Sequence, residues 1–391
     1  MCRSSFNPYR KANPNWEQYD FLKTDDMLDF HRSLPGYRPT PLIALPRIAA
    51  ELGLGKVFVK DESQRFGIKA FKALGASYAI YRFLKMNFEK KFDSPFTPKS
   101  FREPDVLKKL GTFVFAAATD GNHGRAVAWT ARMLHQKAVI YMPANSARAR
   151  VKAIESEGAR VFLVKGTFDD CVEQCARDAE KNGWQVVSDT AYPGYVDLPR
   201  FILLGYTTLF REMENSLHPP ERPGIDFVLL PAGVGGLAAA GTTYYVQRYA
   251  ENRPTLICVE PEVSACFLES IQFGHGKPVV ASGTLDSIMA GLNCGIPSPV
   301  TWPFVRDGMD FFLAVPDHFA IEAMRIYARE GVVSGESGAS GLAGLLALMT
   351  RLKLKEAVQK LGLGLQSRVL LINTEGDTDP ESYRRIVENN S

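Results

Sequence analysis

The chain has 391 residues, which is too long for one simple core and predicts two domains. Hydrophobic residues make up 46% and charged residues 23% of the chain, and 46 Lys and Arg against 43 Asp and Glu leave a net charge of +3. This composition, with its charges interspersed, argues against nucleic-acid and membrane-surface partners, and no apolar run reaches membrane-spanning length. The first twenty residues lack the apolar segment of a secretory signal, so a cytoplasmic protein is expected.

Six cysteines are scattered along the chain without the spacing of a disulfide framework or a zinc site. Cys171 and Cys175 lie one helical turn apart, but no histidine or further cysteine lies near enough in sequence to complete a metal site. Cys266 and Cys294 flank a loop-rich segment and could pair if the fold brings them close. No metal ion is therefore expected.

Short β-branched and aromatic runs alternate with helical patterns along the chain. The predicted strands are 56–60, 112–119, 138–143, 160–166, 185–190, 227–233, 255–261 and 368–373. The predicted helices are 122–136, 146–158 and 168–182, the last with Cys171, Val172, Cys175 and Ala179 facing inward. This alternation predicts an α/β fold with parallel or mostly parallel sheets flanked by helices. Ligands bind such sheets at the carboxyl ends of the strands, so chemistry is expected in the segments that follow strands.

The stretch FGIKAFKALGA (66–76) ends a loop, begins a predicted helix and carries two lysines, Lys69 and Lys72. A lysine near a helix start is commonly a solvated surface residue. Alternatively, an apolar site at the positive end of a helix dipole disfavours the ammonium, which leaves the amine neutral often enough to form a Schiff base. The stretch alone does not decide between the two interpretations.

The segment TDGNHG (119–124) follows a predicted strand and starts the next helix. Its glycines allow a ligand to approach the backbone, and the N–H groups of the first helical turn face such a ligand. A plain turn is the alternative, because Asp and Asn are good N-caps. An amide and an imidazole between two glycines are more than a turn requires, which favours a functional role.

The segment AGVGGL (232–237) lies between the predicted strand 227–233 and a helix of small residues. Its backbone N–H groups can form a nest suited to one phosphate. The segment lacks the Lys-Ser/Thr of a P-loop and the third glycine of the dinucleotide fingerprint, and a tight turn is the alternative interpretation.

The segment NTEGDT (373–378) follows the last predicted strand, and its small polar residues could hydrogen-bond to a ring nitrogen or form a surface turn. Together the four segments offer a reactive amine, a cradle for a single phosphate, an amide beside a ring and a polar group at a ring nitrogen. That set describes pyridoxal phosphate (PLP), an electron sink for carbanions formed at the Cα of amino acids.

Six motifs stand in the order found in fold-type II PLP enzymes, the group of tryptophan synthase β and the threonine and serine dehydratases, and the chain resembles this family from about residue 36 to 380. The resemblance implies a large cofactor-binding domain (1–75 and 195–391) and a smaller mobile domain (76–194) that covers the substrate. The motifs are Thr40-Pro41-Leu42, Val59-Lys60-Asp61-Glu62, Phe71-Lys72-Ala73-Leu74-Gly75-Ala76, Gly121-Asn122-His123-Gly124, Gly233-Val234-Gly235-Gly236-Leu237 and Glu336-Ser337-Gly338-Ala339.

The same resemblance implies roles for single residues. Lys72 is the Schiff-base residue, with Lys69 a bystander, and Asn122 contacts the phenolic oxygen of the cofactor ring. Thr374 or Asn373 faces the ring nitrogen, where dehydratases have a serine-rich ending that this chain lacks. The phosphate is held by Gly233, Val234, Gly235, Gly236 and Leu237.

Two carboxylates set the chain apart from the dehydratases. Dehydratases carry small hydroxyl residues before Gly-Asn-His-Gly, whereas this chain has Thr119-Asp120. A carboxylate there suits an ammonium leaving group better than an alcohol, and it could accept a proton from Cα on the face opposite Lys72. Asp189 follows at the end of another predicted strand. Each aspartate could instead be an N-cap or turn residue.

The stretches FGIKAFKALGA, ATDGNHG, SDTAYPGY and NTEGDTDP are similar to those of the diaminopropionate ammonia-lyases within this group. The similarity implies α,β-elimination of D- and L-2,3-diaminopropionate to pyruvate and two ammonia. Lys72 then serves as base for the L-isomer and Asp120 for the D-isomer, while Asp189 holds or protonates the β-amino group. His123 orients its neighbours in this interpretation, and Ser77 and Thr119 line the carboxylate pocket.

Three other functions fit the motifs: a serine or threonine dehydratase, a PLP-dependent β-replacement synthase, and a catalytically silent PLP-fold binding protein. The intact Lys72 argues against the silent protein. Because fold-type II enzymes are commonly dimers, a homodimer is expected. Its ligand is expected to be a small amino acid.

Overall fold

The computed structural model describes residues 2–119, 121–166, 168–217 and 223–388, so the predicted catalytic residue Asp120 lies outside the described residues. The chain divides into two compact units. The large unit comprises Met1–Tyr19, Pro39–Gln64 and Leu209–Ser391, and the small unit comprises Asp20–Arg38 and Arg65–Thr208. Within the described ranges, no helix is long and apolar enough to cross a membrane.

The large unit is built on a seven-stranded sheet, counted over the described residues. Its strands are β1 (Arg3–Phe6), β2 (Leu42–Ala44), β3 (Lys56–Asp61), β8 (Phe227–Pro231), β9 (Thr255–Pro261), β10 (Phe311–Val315) and β11 (Arg368–Asn373), in the order β1-β10-β9-β8-β11-β3-β2. The five inner strands are parallel, and β1 and β2 pair antiparallel at the two edges. Every residue of β8 is buried, as expected for a strand covered on both faces.

The helices of the large unit bury apolar side chains against this sheet. Gly344 lies in the helix SGLAGLLALMT, where a Cβ would come within 2.7 Å of the Val259 side chain, so the helix packs closely on β9. The helices are α2 (Pro46–Glu51), α9 (Gly236–Tyr249), α10 (Cys266–Phe273), α11 (Trp302–Gly308), α12 (Asp317–Arg329), α13 (Ser340–Thr350), α14 (Lys355–Leu361) and α15 (Pro380–Glu388).

The small unit has a four-stranded parallel sheet among its described residues. Its strands are β4 (Val114–Ala118), β5 (Lys137–Pro143), β6 (Arg160–Val164) and β7 (Gln185–Val186), in the order β6-β5-β4-β7. Its helices are α1 (Met27–Ser33), α3 (Lys72–Phe92), α4 (Pro104–Leu110), α5 (Asn122–Met133), α6 (Arg148–Ser156), α7 (Phe168–Asn182) and most of α8 (Asp197–Arg211). Because β7 pairs with β4, the segments that follow these two strands emerge side by side.

The predicted fold class is confirmed, since mostly parallel sheets are flanked by helices in both units. The predicted strand 185–190 ends early, at Val186, and β1, β2 and β10 were not predicted. The prediction that Val172 faces inward is wrong, because its side chain is 40% exposed. The buried stripe of α7 runs through Cys171, Cys175 and Ala179 at a spacing of four residues, which leaves position 172 about 100° around the helix.

The compact units divide the chain at residues other than the predicted domain boundaries. Residues 65–75 and 195–208 belong to the small unit, as does 20–38. The boundaries differ because α3 is one continuous helix from Lys72 onwards and α8 packs directly against it, so the starts of both helices belong to the small unit. A Cβ on Gly205 would come within 2.4 Å of the Leu74 carbonyl oxygen. That the smaller domain moves and covers a substrate stays a prediction.

Candidate active site

Lys72 is the first residue of α3, and its amine forms an ion pair in the small unit. The Nζ atom lies 2.6 Å from Oδ2 of Asp189. It also lies 5.4 Å from the ring centroid of Phe71 and 5.8 Å from that of Tyr206. The aromatic neighbours match the apolar environment predicted for this lysine, but the carboxylate favours the ammonium and so opposes the effect of the helix dipole.

The first turn of α3 is held in place by buried contacts. His31 is fully buried, and its Nε2 lies 2.9 Å from the Leu74 carbonyl oxygen while its Nδ1 lies 2.7 Å from Oγ1 of Thr208. Because a carbonyl oxygen only accepts, Nε2 carries the proton and Nδ1 accepts from the hydroxyl. The helix start that carries Lys72 is therefore tied to α1 and to α8.

Asp189 lies in the irregular segment that follows β7. Tyr195 holds this segment, since its hydroxyl accepts from the Ser188 N–H at 2.8 Å and donates to the Val186 carbonyl at 3.1 Å. Burial acts to raise the pKa of Asp189, but the Lys72 ammonium and further hydrogen bonds outweigh it and hold that pKa well below the ordinary aspartate value. Asp189 is therefore an anion, and its side chain keeps 21% exposure.

Thr119 directly follows β4, and its side chain bonds to the backbone at the start of helix α5. Its Oγ1 accepts hydrogen bonds from the N–H groups of Gly121 at 3.0 Å and Gly124 at 3.1 Å. A Cβ on Gly124 would lie 2.3 Å from Cγ2 of Thr119, so only glycine fits this contact. The hydroxyl is engaged in shaping the loop, and a place for Thr119 in a carboxylate pocket stays a prediction, as does one for the buried Ser77.

Helix α5 brings two predicted site residues to this loop. Asn122, its first residue, is half-buried, and His123 is almost fully buried. The Nε2 atom of His123 lies 2.8 Å from the Val187 carbonyl oxygen, and its Nδ1 lies 4.0 Å from Oδ2 of Asp189. Burial lowers the pKa of His123 below its ordinary value, against the opposing charge of Asp189. The small unit thus gathers Lys72, Asp189 and a neutral His123.

The glycine loop of the large unit leads from β8 into α9. Gly235 has φ +95°, a conformation that favours glycine, and a Cβ there would lie 2.3 Å from the Phe267 ring and 2.8 Å from Oγ1 of Thr301. Thr301 also donates to the Val234 carbonyl at 2.7 Å. The loop is therefore a fixed nest at a helix N-terminus, and its shape depends on the absence of a side chain at position 235.

Glu260, which the motifs did not indicate, supports this loop from behind. It is fully buried at the end of β9, and its carboxylate accepts from the N–H groups of Phe267 at 2.7 Å and Leu268 at 2.8 Å. Burial raises the pKa of Glu260 to about 8, although these two N–H groups act in the opposite direction. Glu260 thereby fixes the first turn of α10, which carries the Phe267 ring that lies against Gly235.

Cys266 and Cys294, considered as a pair from the sequence, are not joined by a disulfide in the structure. Both lie beside Gly233: Cys266 Sγ is 3.6 Å from its carbonyl oxygen, and a Cβ on Gly233 would lie 2.9 Å from Cys294 Sγ. Burial raises the pKa of Cys266 well above the ordinary thiol value, so it is a protonated core residue.

Asn373 and Thr374 follow one another at the end of β11, next to β8 in the sheet. Asn373 is fully buried, and its Nδ2 donates to Oδ1 of Asp61 at 2.8 Å and to the Val333 carbonyl at 2.9 Å. Both of its donors are therefore committed within the large unit. Thr374 is 5% exposed.

Comparison with known proteins decides which family these features belong to. Residues 33–374 match the family described as pyridoxal-phosphate dependent enzyme. The chain belongs to the pyridoxal-phosphate dependent enzyme family. Its fold is that of a fold-type II member, as the following relatives show.

Two relatives of this PLP-dependent enzyme, one of them in two crystal structures, are similar over nearly the whole chain. The diaminopropionate ammonia-lyase of Salmonella typhimurium is 40% identical, with 100% of this chain and 98% of that protein covered. The crystal structure of Escherichia coli diaminopropionate ammonia lyase in complex with D-serine has a TM-score of 0.87 at 36% identity, covering 99% of this chain and 97% of that one. The same Escherichia coli protein with an aminoacrylate-PLP azomethine reaction intermediate gives a TM-score of 0.85 at 36% identity and the same coverage.

The residues of this chain fit its family's cofactor. The glycine loop ends at the N-terminus of α9, where backbone N–H groups suit a phosphate. The small unit presents an amine at a helix start, within 6 Å of the centroids of two aromatic rings. Among the described residues, no group of three or more His, Cys, Asp and Glu side chains is arranged to hold a metal ion.

The Gly235→Ala substitution is expected to weaken PLP binding at least tenfold. The added Cβ meets the Phe267 ring at 2.3 Å and Oγ1 of Thr301 at 2.8 Å, so the ring, the hydroxyl or the loop must shift. Overpacking of this kind costs about 1–3 kcal/mol, and the positive φ adds strain. Titration of the cofactor-free protein with PLP, followed by absorbance, measures the dissociation constant.

Gly331→Ala is the matched control for that substitution. Gly331 lies in the same unit with φ +78°, and no atom lies within 4 Å of a Cβ built there, so it carries the backbone strain without the clash. It is expected to lower the unfolding temperature slightly and to leave PLP affinity unchanged. Equal PLP affinities for the two variants would contradict the assignment of the nest.

Proposed function

We propose that this PLP-dependent enzyme is a carbon–nitrogen lyase that converts 2,3-diaminopropionate and one water to pyruvate and two ammonia. The observation that carries the proposal is the ionised Asp189 carboxylate, 2.6 Å from the Lys72 amine. A carboxylate at that place favours a substrate with a second ammonium group over one with a hydroxyl. The 40% identity to a protein named diaminopropionate ammonia-lyase, over the whole chain, supports the same substrate.

The chemistry is divided between the cofactor and the side chains. PLP, when bound, withdraws electrons from the substrate Cα and so eases departure of the Cα proton and of the β-substituent. Lys72 Nζ is the covalent anchor of the cofactor, and once free it takes the Cα proton of the L-isomer. Asp120 takes the Cα proton of the D-isomer from the opposite face. Asp189 Oδ2 holds the β-ammonium group.

The remaining predicted residues hold the cofactor in this proposal. Asn122 contacts the ring's phenolic oxygen from the first turn of α5, and the backbone of 233–237 binds the phosphate. Thr374 is favoured over Asn373 as the partner of the ring nitrogen, because both amide donors of Asn373 are used by Asp61 and Val333. The small unit covers the substrate and limits access of water.

The substrate is tested by supplying diaminopropionate, serine and threonine separately to the purified enzyme. Diaminopropionate is expected to release pyruvate with a kcat/KM at least a hundredfold above that for serine. The reason is that the hydroxyl group of serine offers no positive charge to the Asp189 carboxylate. Pyruvate and ketobutyrate assays measure the products. Serine turnover equal to that of diaminopropionate would instead support the dehydratase.

Lys72→Ala is the companion variant for this panel. It is expected to lose the yellow colour of covalently held PLP and all pyruvate release, whereas Lys69→Ala keeps both. A colourless wild-type protein after incubation with PLP would reject the cofactor assignment of Lys72.

Asp120→Asn is expected to separate the two enantiomers. If Asp120 is the base on the face opposite Lys72, the amide of the variant cannot take the Cα proton of the D-isomer. Lys72 still takes the Cα proton of the L-isomer. A loss of roughly 10²–10⁴-fold in kcat for D-diaminopropionate is expected, with less than a tenfold loss for the L-isomer. Parallel loss for both isomers would remove this face-specific role.

We further propose that the enzyme works as a homodimer in the cytoplasm, as the family resemblance implies. Light scattering of the purified holoenzyme is expected to give twice the mass of one chain. A mass of one chain across the micromolar range would reject the dimer.

A further inference from the structure

His123 presents a hydrogen-bond acceptor that the proposed mechanism does not yet use. Its ring lies in the first turn of α5 and is 6% exposed. The Nε2 atom lies 2.8 Å from the Val187 carbonyl oxygen, which can only accept, so Nε2 carries the ring proton. Burial opposes a second proton on the ring. The Nδ1 atom is therefore an unprotonated acceptor.

No residue within the described ranges hydrogen-bonds to this Nδ1, although the atom is buried. The group it faces is Oδ2 of Asp189, at 4.0 Å. That distance is too long for a hydrogen bond, and both atoms are acceptors, so they repel one another unless a donor lies between them. A buried acceptor without a hydrogen-bond partner lowers the stability of the folded protein. This cost points to a donor that a ligand brings to Nδ1.

The geometry of the two acceptors suits an ammonium group. A nitrogen about 2.9 Å from each of two atoms that are 4.0 Å apart has an angle of roughly 90° between its two hydrogen bonds. An alkylammonium has three N–H donors and a positive charge, so it can serve the carboxylate and the imidazole together. A hydroxyl has one donor, so it serves one acceptor and turns its lone pairs towards the other.

We propose that Nδ1 of His123 and Oδ2 of Asp189 together bind the β-ammonium group of the substrate, and that His123 thereby selects a leaving ammonia over a leaving hydroxyl. The inference rests on the proposed lyase function and adds a specificity-determining residue to it. The β-nitrogen stays protonated while held. When the Cα proton has gone to its base and the Cβ–N bond breaks, the bonding pair stays with nitrogen, which departs as neutral ammonia without a further acid.

Two variants of His123 separate an acceptor role from a structural one. In His123→Gln, the amide nitrogen can take the place of Nε2 and keep the hydrogen bond to Val187, while the acceptor at Nδ1 is lost. In His123→Asn, the shorter amide can place its oxygen near the position of Nδ1, while the bond to Val187 is lost. The measured quantity is the ratio of kcat/KM for diaminopropionate to that for serine in the holoenzyme.

The ratio is expected to fall roughly ten- to a hundredfold in His123→Gln, because a hydrogen bond to a charged group is lost. In His123→Asn the fall is expected to be smaller, because an acceptor near the position of Nδ1 is kept. An unchanged ratio in His123→Gln, or a larger fall in His123→Asn, would overturn the proposal. His31→Gln is the control for replacing a buried histidine, since both nitrogens of His31 already have partners in the small unit, and it should leave the ratio unchanged.

A second measurement on the wild-type enzyme does not depend on the folding of any variant. Diaminopropionate with one N-methyl group on its β-nitrogen keeps two N–H donors as an ammonium, whereas the N,N-dimethyl compound keeps one. If His123 and Asp189 each accept one hydrogen bond from the ammonium, the first methyl group should lower kcat/KM slightly. The second methyl group should lower it steeply, because only one N–H donor then remains for two acceptors. Equal drops would reject paired acceptance, whereas no pyruvate from diaminopropionate itself would reject the lyase function instead.

Discussion

The parallel pairing of neighbouring strands is the constraint on which both units depend. In the small unit β7 lies beside β4, so the segments after Val186 and after Ala118 start at one edge of the sheet. In the large unit β8 lies beside β11, which places the glycine loop and Asn373 at the corresponding edge. Residues far apart in sequence therefore meet wherever two strands end together.

Within the small unit, one carboxylate organises the charges. Lys72 stands at the positive end of α3, where the dipole disfavours a cation, and Asp189 supplies the opposite charge at 2.6 Å. The same carboxylate faces a neutral imidazole that has no proton to offer it. In the proposed mechanism, the same carboxylate pairs first with Lys72 and then with the β-ammonium group of the substrate.

The sequence was sufficient for the fold class and for the order of the motifs, because continuous apolar strands and glycine-rich turns are local signals. It was not sufficient for relations between distant residues. The ring proton of His123 is fixed by a carbonyl 64 residues away, and Glu260 binds the backbone of Phe267, whose ring lies against Gly235. No local pattern records such contacts. The proposal of Thr374 over Asn373 likewise depends on a distant contact, since Asp61 binds the amide of Asn373.

The close contact between α3 and α8 has a consequence for how such an enzyme can diverge. Gly205 meets the Leu74 carbonyl, and Gly75 meets the Tyr206 ring, so neither glycine position accepts a larger residue without moving the helix that begins at Lys72. In the proposed mechanism, Asp189 faces the leaving group from the segment after β7, outside both of these helices. In that mechanism, substrate preference is set outside the seam between the two helices, whose glycine positions limit substitution.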